Sequence, residues 1–187
     1  MTDAVGRALA GRSHDVHLNP EGREQAQRLA RRLDARSISA VYSSPLPRAL
    51  ETAAPLAATQ GAEVRTCEPA MEIDFGEWTG CTLEELASDA RWAAFNRARA
   101  TTRAPRGVSM QDVQSRIVSE IERLRHLHRG EAIVLITHAD VIRAALCYYA
   151  GVHLDLCQRF DIDPASTTTF NFWDDGWMTI AGVNVSS

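Results

Sequence analysis

Short β-branched and aliphatic runs alternate along this chain with segments whose apolar residues recur at helical spacing. No other feature limits the fold as tightly, because strands separated by helices pair in parallel and need helical layers over the sheet. Residues 38–43, 63–66 and 132–137 read as strands, the last buried by its continuous apolar run. Ala26, Leu29, Ala30 and Leu33 line one helix face, as do Leu46, Ala49, Leu50, Ala53 and Leu56, and then Val113, Ile117, Ile121 and Leu124. Start and stop chemistry agrees with these periods. Asn19-Pro20-Glu21 supplies an N-cap, a first-turn proline and an acid beside the dipole. Thr82 with Glu85 forms a capping box, Ser109 with Asp112 opens a further helix, and Gly61, Gly130 and Gly151 end helices. Residues 158–162, 167–173 and 177–183 read as closing strands, the last two joined by a hairpin turn at Asp175-Gly176. The expected fold is α/β: a three-layer α/β/α sandwich with a mostly parallel sheet. It forms one domain over residues 1–187, with 68–107 as an inserted lid region.

Composition excludes several kinds of activity. All 20 basic residues are arginine. A lysine Schiff base is therefore excluded, and so is a P-loop nucleotidase built on a phosphate-binding lysine. A net charge of −4 lacks the basic footprint of a nucleic-acid binder. The longest aliphatic run, Ala132 to Ile136, is far too short to span a membrane, and no apolar signal segment opens the chain. Cys67, Cys81, Cys147 and Cys157 have no Cys-x-x-Cys spacing and read as free thiols, so a cytoplasmic protein is expected. His126 and His128 stand two apart on a helix and do not share a face, so neither a metal site nor a cofactor is expected.

In open α/β sheets, ligands bind beyond the carboxyl ends of the strands. Two strands here end in suggestive groups. Tyr42-Ser43-Ser44-Pro45-Leu46-Pro47-Arg48 carries Arg48 into the first turn of a helix. Ile136-Thr137-His138-Ala139-Asp140 places His138 between a strand and a helix, with free backbone N–H groups beginning at Ala139. An arginine fork, an imidazole and a helix N-terminus together suit a phosphate. A third segment, Glu72-Ile73-Asp74-Phe75-Gly76-Glu77-Trp78, sets carboxylates beside aromatics. A shielded carboxyl can there hold its proton and act as a general acid. Glu72 is the preferred acid and Glu77 its rival, while Trp78, Thr2 and Arg12 are further candidates for substrate contact.

Four motifs in order resemble the histidine phosphatase superfamily, the phosphoglycerate mutase-like fold. They are Leu18-Asn19-x-x-Gly22-x-x-Gln25-Ala26, Tyr42-Ser43-Ser44-Pro45-Leu46-x-Arg48-Ala49-x-x-Thr52-Ala53, Glu72-Ile73-x-x-Gly76-x-Trp78-x-Gly80 and Thr137-His138-Ala139-x-x-Ile142-Arg143. The resemblance implies that a histidine at the end of a first strand attacks phosphorus to give phosphohistidine. Arg48 and His138 would hold the phosphoryl oxygens, and Glu72 would protonate the leaving alkoxide. The scheme needs no metal. The implied partner is a small phosphorylated substrate.

One part of the family pattern does not stand in this chain. The signature Arg-His-Gly would precede Thr2, and the chain reads Met1-Thr2-Asp3. His14 and His17 lie in a polar loop on the wrong side to replace it. Val5 stands where the family has Asn, and Ala139-Asp140 where it often has Gly-Gly. The expectation is that the natural protein begins upstream, with a first strand beside residues 132–137. The alternative is a degenerate member that kept the fold and lost its nucleophile. Either way the exposed edge invites strand exchange between chains, and with it a homodimer. The expected function is a phosphomonoesterase of small metabolites in the full-length form. A phosphate-binding pseudoenzyme and a phosphoglycerate-type mutase are the alternatives.

Overall fold

Asn19 opens the first helix: its side chain accepts from the Gly22 amide at 2.8 Å, and Pro20 takes the first turn. The computed structural model describes residues 1–186. Its elements are α1 (Pro20–Leu33), β1 (Ala40–Ser43), α2 (Pro47–Thr59), β2 (Val64–Thr66), α3 (Leu83–Ala87), α4 (Ala90–Arg97), α5 (Met110–Leu127), β3 (Ile133–Ile136), α6 (Ala139–Ala150), β4 (Thr167–Phe172) and β5 (Met178–Val185). The capping boxes at Thr82 and Ser109 both form, and Gly151 ends α6 in the left-handed conformation.

A parallel sheet of order β2-β1-β3 forms the centre, with Val41 opposite Val64 on one side and Val134 on the other. Alternation along the strands divides their side chains between two helical layers. Val41, Val134 and Ile136 pack with Leu29, Ala30 and Leu33 of α1 and Ala53, Leu56 and Ala57 of α2. Ala40, Tyr42, Ile133 and Leu135 face the opposite way, toward Leu124 of α5. The expected parallel α/β arrangement is therefore present, with helices on both faces.

Segment 68–107 carries its aromatics inward. Phe75, Trp78 and Phe95 are buried in the same cluster as Met110, Val113 and Ile117 of α5 and Val141 and Ala144 of α6. Trp92 stacks on Phe95 and meets Trp78 edge-on. Gly76 makes this packing possible. Its φ is +54°, and a Cβ there would lie 2.0 Å from the Pro105 carbonyl oxygen.

One element departs from the sequence reading. Residues 158–162 are not a strand. Leu154–Arg159 forms a 3-10 turn that buries Leu154 and Cys157 in the main core. That burial, made with distant elements, overrides the local β propensity. The sheet is divided beside β3, where the sequence reading placed the missing first strand. β4 and β5 form a separate antiparallel hairpin that turns at Asp175-Gly176. Phe170 and Phe172 of the hairpin pack on Tyr149 of α6, and Arg32 of α1 reaches the Ala165 carbonyl and the Thr167 hydroxyl. Both helical layers thus extend from β3 to β4. No backbone hydrogen bond joins β3 to β4 among the described residues.

Candidate phosphoryl site

β1 and β3 run parallel, so their carboxyl ends lie side by side, and the site is built there. After Ser43 the chain leaves the sheet through buried Ser44. Leu46 caps α2 in an extended conformation, and Arg48 falls in the first helical turn. After β3, Thr137 anchors its hydroxyl to the Ala70 carbonyl at 2.6 Å. His138 then caps α6 with its backbone alone, which leaves the imidazole free to turn inward. Its Nε2 sits 2.8 Å from Ser44 Oγ, a bond that crosses between the two strand ends.

Arg48 and His138 are each 9% exposed. Arg48 donates to the Gly11 carbonyl at 2.7 Å and the Ser13 carbonyl at 3.2 Å, which brings the N-terminal loop over the site. Burial, reinforced by the charges of Arg48 and Arg116, lowers His138 to about 3, so its ring is neutral at neutral pH. Glu72 is pushed the other way, up to about 7. Burial is the main cause and the Asp140 charge adds to it, while the Ile73 amide, Arg48 and Arg116 oppose it. Its carboxyl therefore holds a proton in the pH range where an acid catalyst works.

The carboxylates of this loop separate by surroundings. Glu77 is exposed and pairs with Arg91 and Arg106 at the surface. Asp74 accepts from the Gly76 amide at 2.9 Å and faces Arg12 at 4.0 Å. The charges of Arg48, Arg116 and Asp140 act on Glu72. Of the remaining candidates, Arg12 joins the group by donating Nε to the Glu72 carbonyl at 3.1 Å, and Ala139 occupies the first turn of α6. Trp78 instead lies in the aromatic core with its indole N–H on Asp89 at 3.2 Å. Thr2 is buried in the N-terminal loop, where its carbonyl accepts from Val5. His14 and His17 are exposed, and His17 is taken up by Glu51 at 2.5 Å.

Two residues at this site escaped the sequence reading. Arg116 of α5 donates to the carbonyls of Pro69, Met71 and Glu72. Its position between Val113 and Ile117 on the inner face of α5 was the available signal. Arg99, 3% exposed, pairs with Asp140 at 3.2 Å while lying 4.9 Å over the Phe95 ring. Asp140 also accepts from Arg143 at 3.0 Å.

Parallel strands bring an arginine, a neutral imidazole and a helix N-terminus together, with the raised carboxyl of Glu72 from a neighbouring loop, a set of groups suited to a phosphate. The sequence profile of the histidine phosphatase superfamily (branch 1) matches residues 2–185, and the chain belongs to that family. It is 41% identical over 136 residues to phosphoglycerate mutase-like protein 4 of Arabidopsis thaliana, covering 70% of this chain and 59% of that one. It is 31% identical over 157 residues to phosphoserine phosphatase 1 of Hydrogenobacter thermophilus, covering 81% and 73%. A phosphoserine phosphatase from Entamoeba histolytica, solved with phosphoserine, superposes with a TM-score of 0.86 at 26% identity, covering 97% of this chain and 90% of that one. Phosphatases and mutase-like proteins are thus its relatives. No helix among the described residues is long and apolar enough to cross a membrane.

Proposed function

We propose that this protein is a phosphomonoesterase of small phosphorylated metabolites that works through a phosphohistidine. The observation that carries this reading is the placement of Arg48 and His138 at adjacent strand ends, with the carboxyl of Glu72, from the loop after β2, raised to about 7 within reach of the Arg48 charge. In the proposed mechanism, Arg48 and the first amides of α6 from Ala139 bind the phosphoryl oxygens. The neutral His138 ring donates a further hydrogen bond. Glu72 gives its proton to the leaving alkoxide, then takes one from the water that cleaves the phosphohistidine. Because the acid must start protonated, turnover is expected to fall as pH rises through about 7.

The attacking histidine is proposed to come from a strand preceding Thr2, lodged between β3 and β4. Two observations support that placement. Both strands present unpaired backbone edges there, between the same helical layers. His14 and His17, the histidines of the N-terminal loop, are exposed, and Glu51 holds the His17 ring. The reading is tested by incubating a labelled phosphomonoester with the 187-residue chain and with the same chain preceded by a strand that ends in Arg-His-Gly. The extended form should become labelled on histidine, acid-labile and base-stable, and should turn over. The short form should bind phosphate without labelling. Labelling of His14 or His17 in the short form would refute the assignment, and phosphate binding without turnover in both forms would make this a binding protein.

A further inference from the structure

The backbone of residues 69–72 receives two guanidinium groups from different parts of the chain. Arg116 donates through Nη1 to the Pro69 carbonyl and through Nη2 to those of Met71 at 2.5 Å and Glu72 at 3.2 Å. Arg12, from the N-terminal loop, donates Nε to the same Glu72 carbonyl at 3.1 Å. Among the described residues the Arg116 donors go to carbonyls and none to a carboxylate. Arg116 is partly buried, and it shares with Arg48 a guanidinium fork given to backbone carbonyls. Burial, with Arg12 nearby, lowers Arg116 to about 10, so it still carries its charge at neutral pH. A lysine could not copy the arrangement, because its single ammonium lacks the planar fork that spans several carbonyls.

The clamped carbonyl belongs to the residue whose side chain is the acid. Glu72 Oε1 accepts from the amide of Ile73 at 2.9 Å, so the carboxyl lies folded against its own backbone. Where that backbone sits decides where the carboxyl sits. We propose that Arg116 is a positioning residue of the phosphoryl site: by tying the carbonyls of Pro69, Met71 and Glu72 to α5, it fixes the Glu72 carboxyl beside Arg48. The proposal rests on the reading of Glu72 as the acid. The groups that act on Glu72 are Arg48 from α2, Arg116 from α5 and Asp140 from α6, with Arg12 of the N-terminal loop on its carbonyl and neutral His138 in the same cluster.

The test is a carbon-13 NMR titration of the Glu72 carboxyl in the intact chain, assigned with Glu72→Gln and repeated in Arg116→Lys and Arg116→Gln. Burial is the largest cause of the raised Glu72 value. If the fork positions the loop, both variants release it toward water, and the midpoint falls by about one unit or more. If Arg116 acts only as a nearby charge, the Lys variant leaves the midpoint in place and the Gln variant raises it, and either result overturns the proposal. A contribution to overall stability alone would lower Tm with the midpoint unchanged, and would also overturn it. Should the Gln variant not fold, the Lys variant, which keeps the charge, decides. Orthovanadate binding to the unmodified chain separates the two readings. Its absence would remove the phosphoryl assignment, while the Glu72 midpoint would still report whether Arg116 positions the loop.

Discussion

Replacing Asp140 with Ala removes the carboxylate shared by Arg99 and Arg143. The two recipients differ in their access to water. The Arg143 side chain is 21% exposed and keeps the Phe160 carbonyl as a partner, so it can rearrange. Arg99 is 3% exposed, its Nε already has no partner among the described residues, and its other contacts are the Phe95 ring and the Cys157 thiol. Loss of Asp140 therefore strands a buried cation, which costs about 3–5 kcal/mol. Urea denaturation with linear extrapolation measures the loss directly. The discriminating variant is the double replacement, Arg99→Met with Asp140→Ala. It removes the stranded charge and should recover about half of the loss or more, because an apolar pair of similar volume often equals a buried ion pair. A single-variant loss under about 1 kcal/mol would show that the pair behaves like an exposed one. A double variant as unstable as the sum of its singles would show that the two residues do not act on one another. Either result would refute the reasoning.

Other expectations follow from the same geometry. Asp140→Asn should lower the Glu72 titration midpoint, because the Asp140 charge is one of the causes holding it up. Glu72 also ties stability to pH. Its folded value of about 7 lies above the ordinary 4.5, so the stability associated with its proton is present below 4.5 and is lost as pH rises through about 7. Urea midpoints for Glu72→Gln should lack that decline. Gly76→Ala should lower stability by more than about 1 kcal/mol, read as a drop in Tm, because the site combines a φ of +54° with a 2.0 Å approach to Pro105.

The elements legible in the sequence were those specified by neighbours in the chain. Asn19-Pro20, Thr82 with Glu85, Ser109 with Asp112 and Asp175-Gly176 are local hydrogen-bonding devices, and each forms. Arg48 and His138 could be placed because strand ends locate them without tertiary detail. What stayed hidden depends on partners far along the chain. Asp140 meets Arg99 from 41 residues away, and Arg116 meets Glu72 from 44. Residues 158–162 carried β propensity, yet the buried Leu154 and Cys157 hold the preceding stretch in a 3-10 turn against α6. Choosing Glu72 over Glu77 on the sequence rested on motif position. The structure separates the two physically, with one carboxyl raised by burial and the other paired with Arg91 and Arg106 at the surface.

The most direct measurement is the binding of orthovanadate to this chain, followed by vanadium-51 NMR below the Glu72 midpoint. The unmodified chain should bind saturably, and Arg48→Met should weaken binding by about tenfold or more, the worth of a charge-assisted hydrogen bond. His138→Ala should weaken it as well. Equal binding by all three chains, or none by the unmodified one, would contradict a phosphoryl site at the ends of β1 and β3.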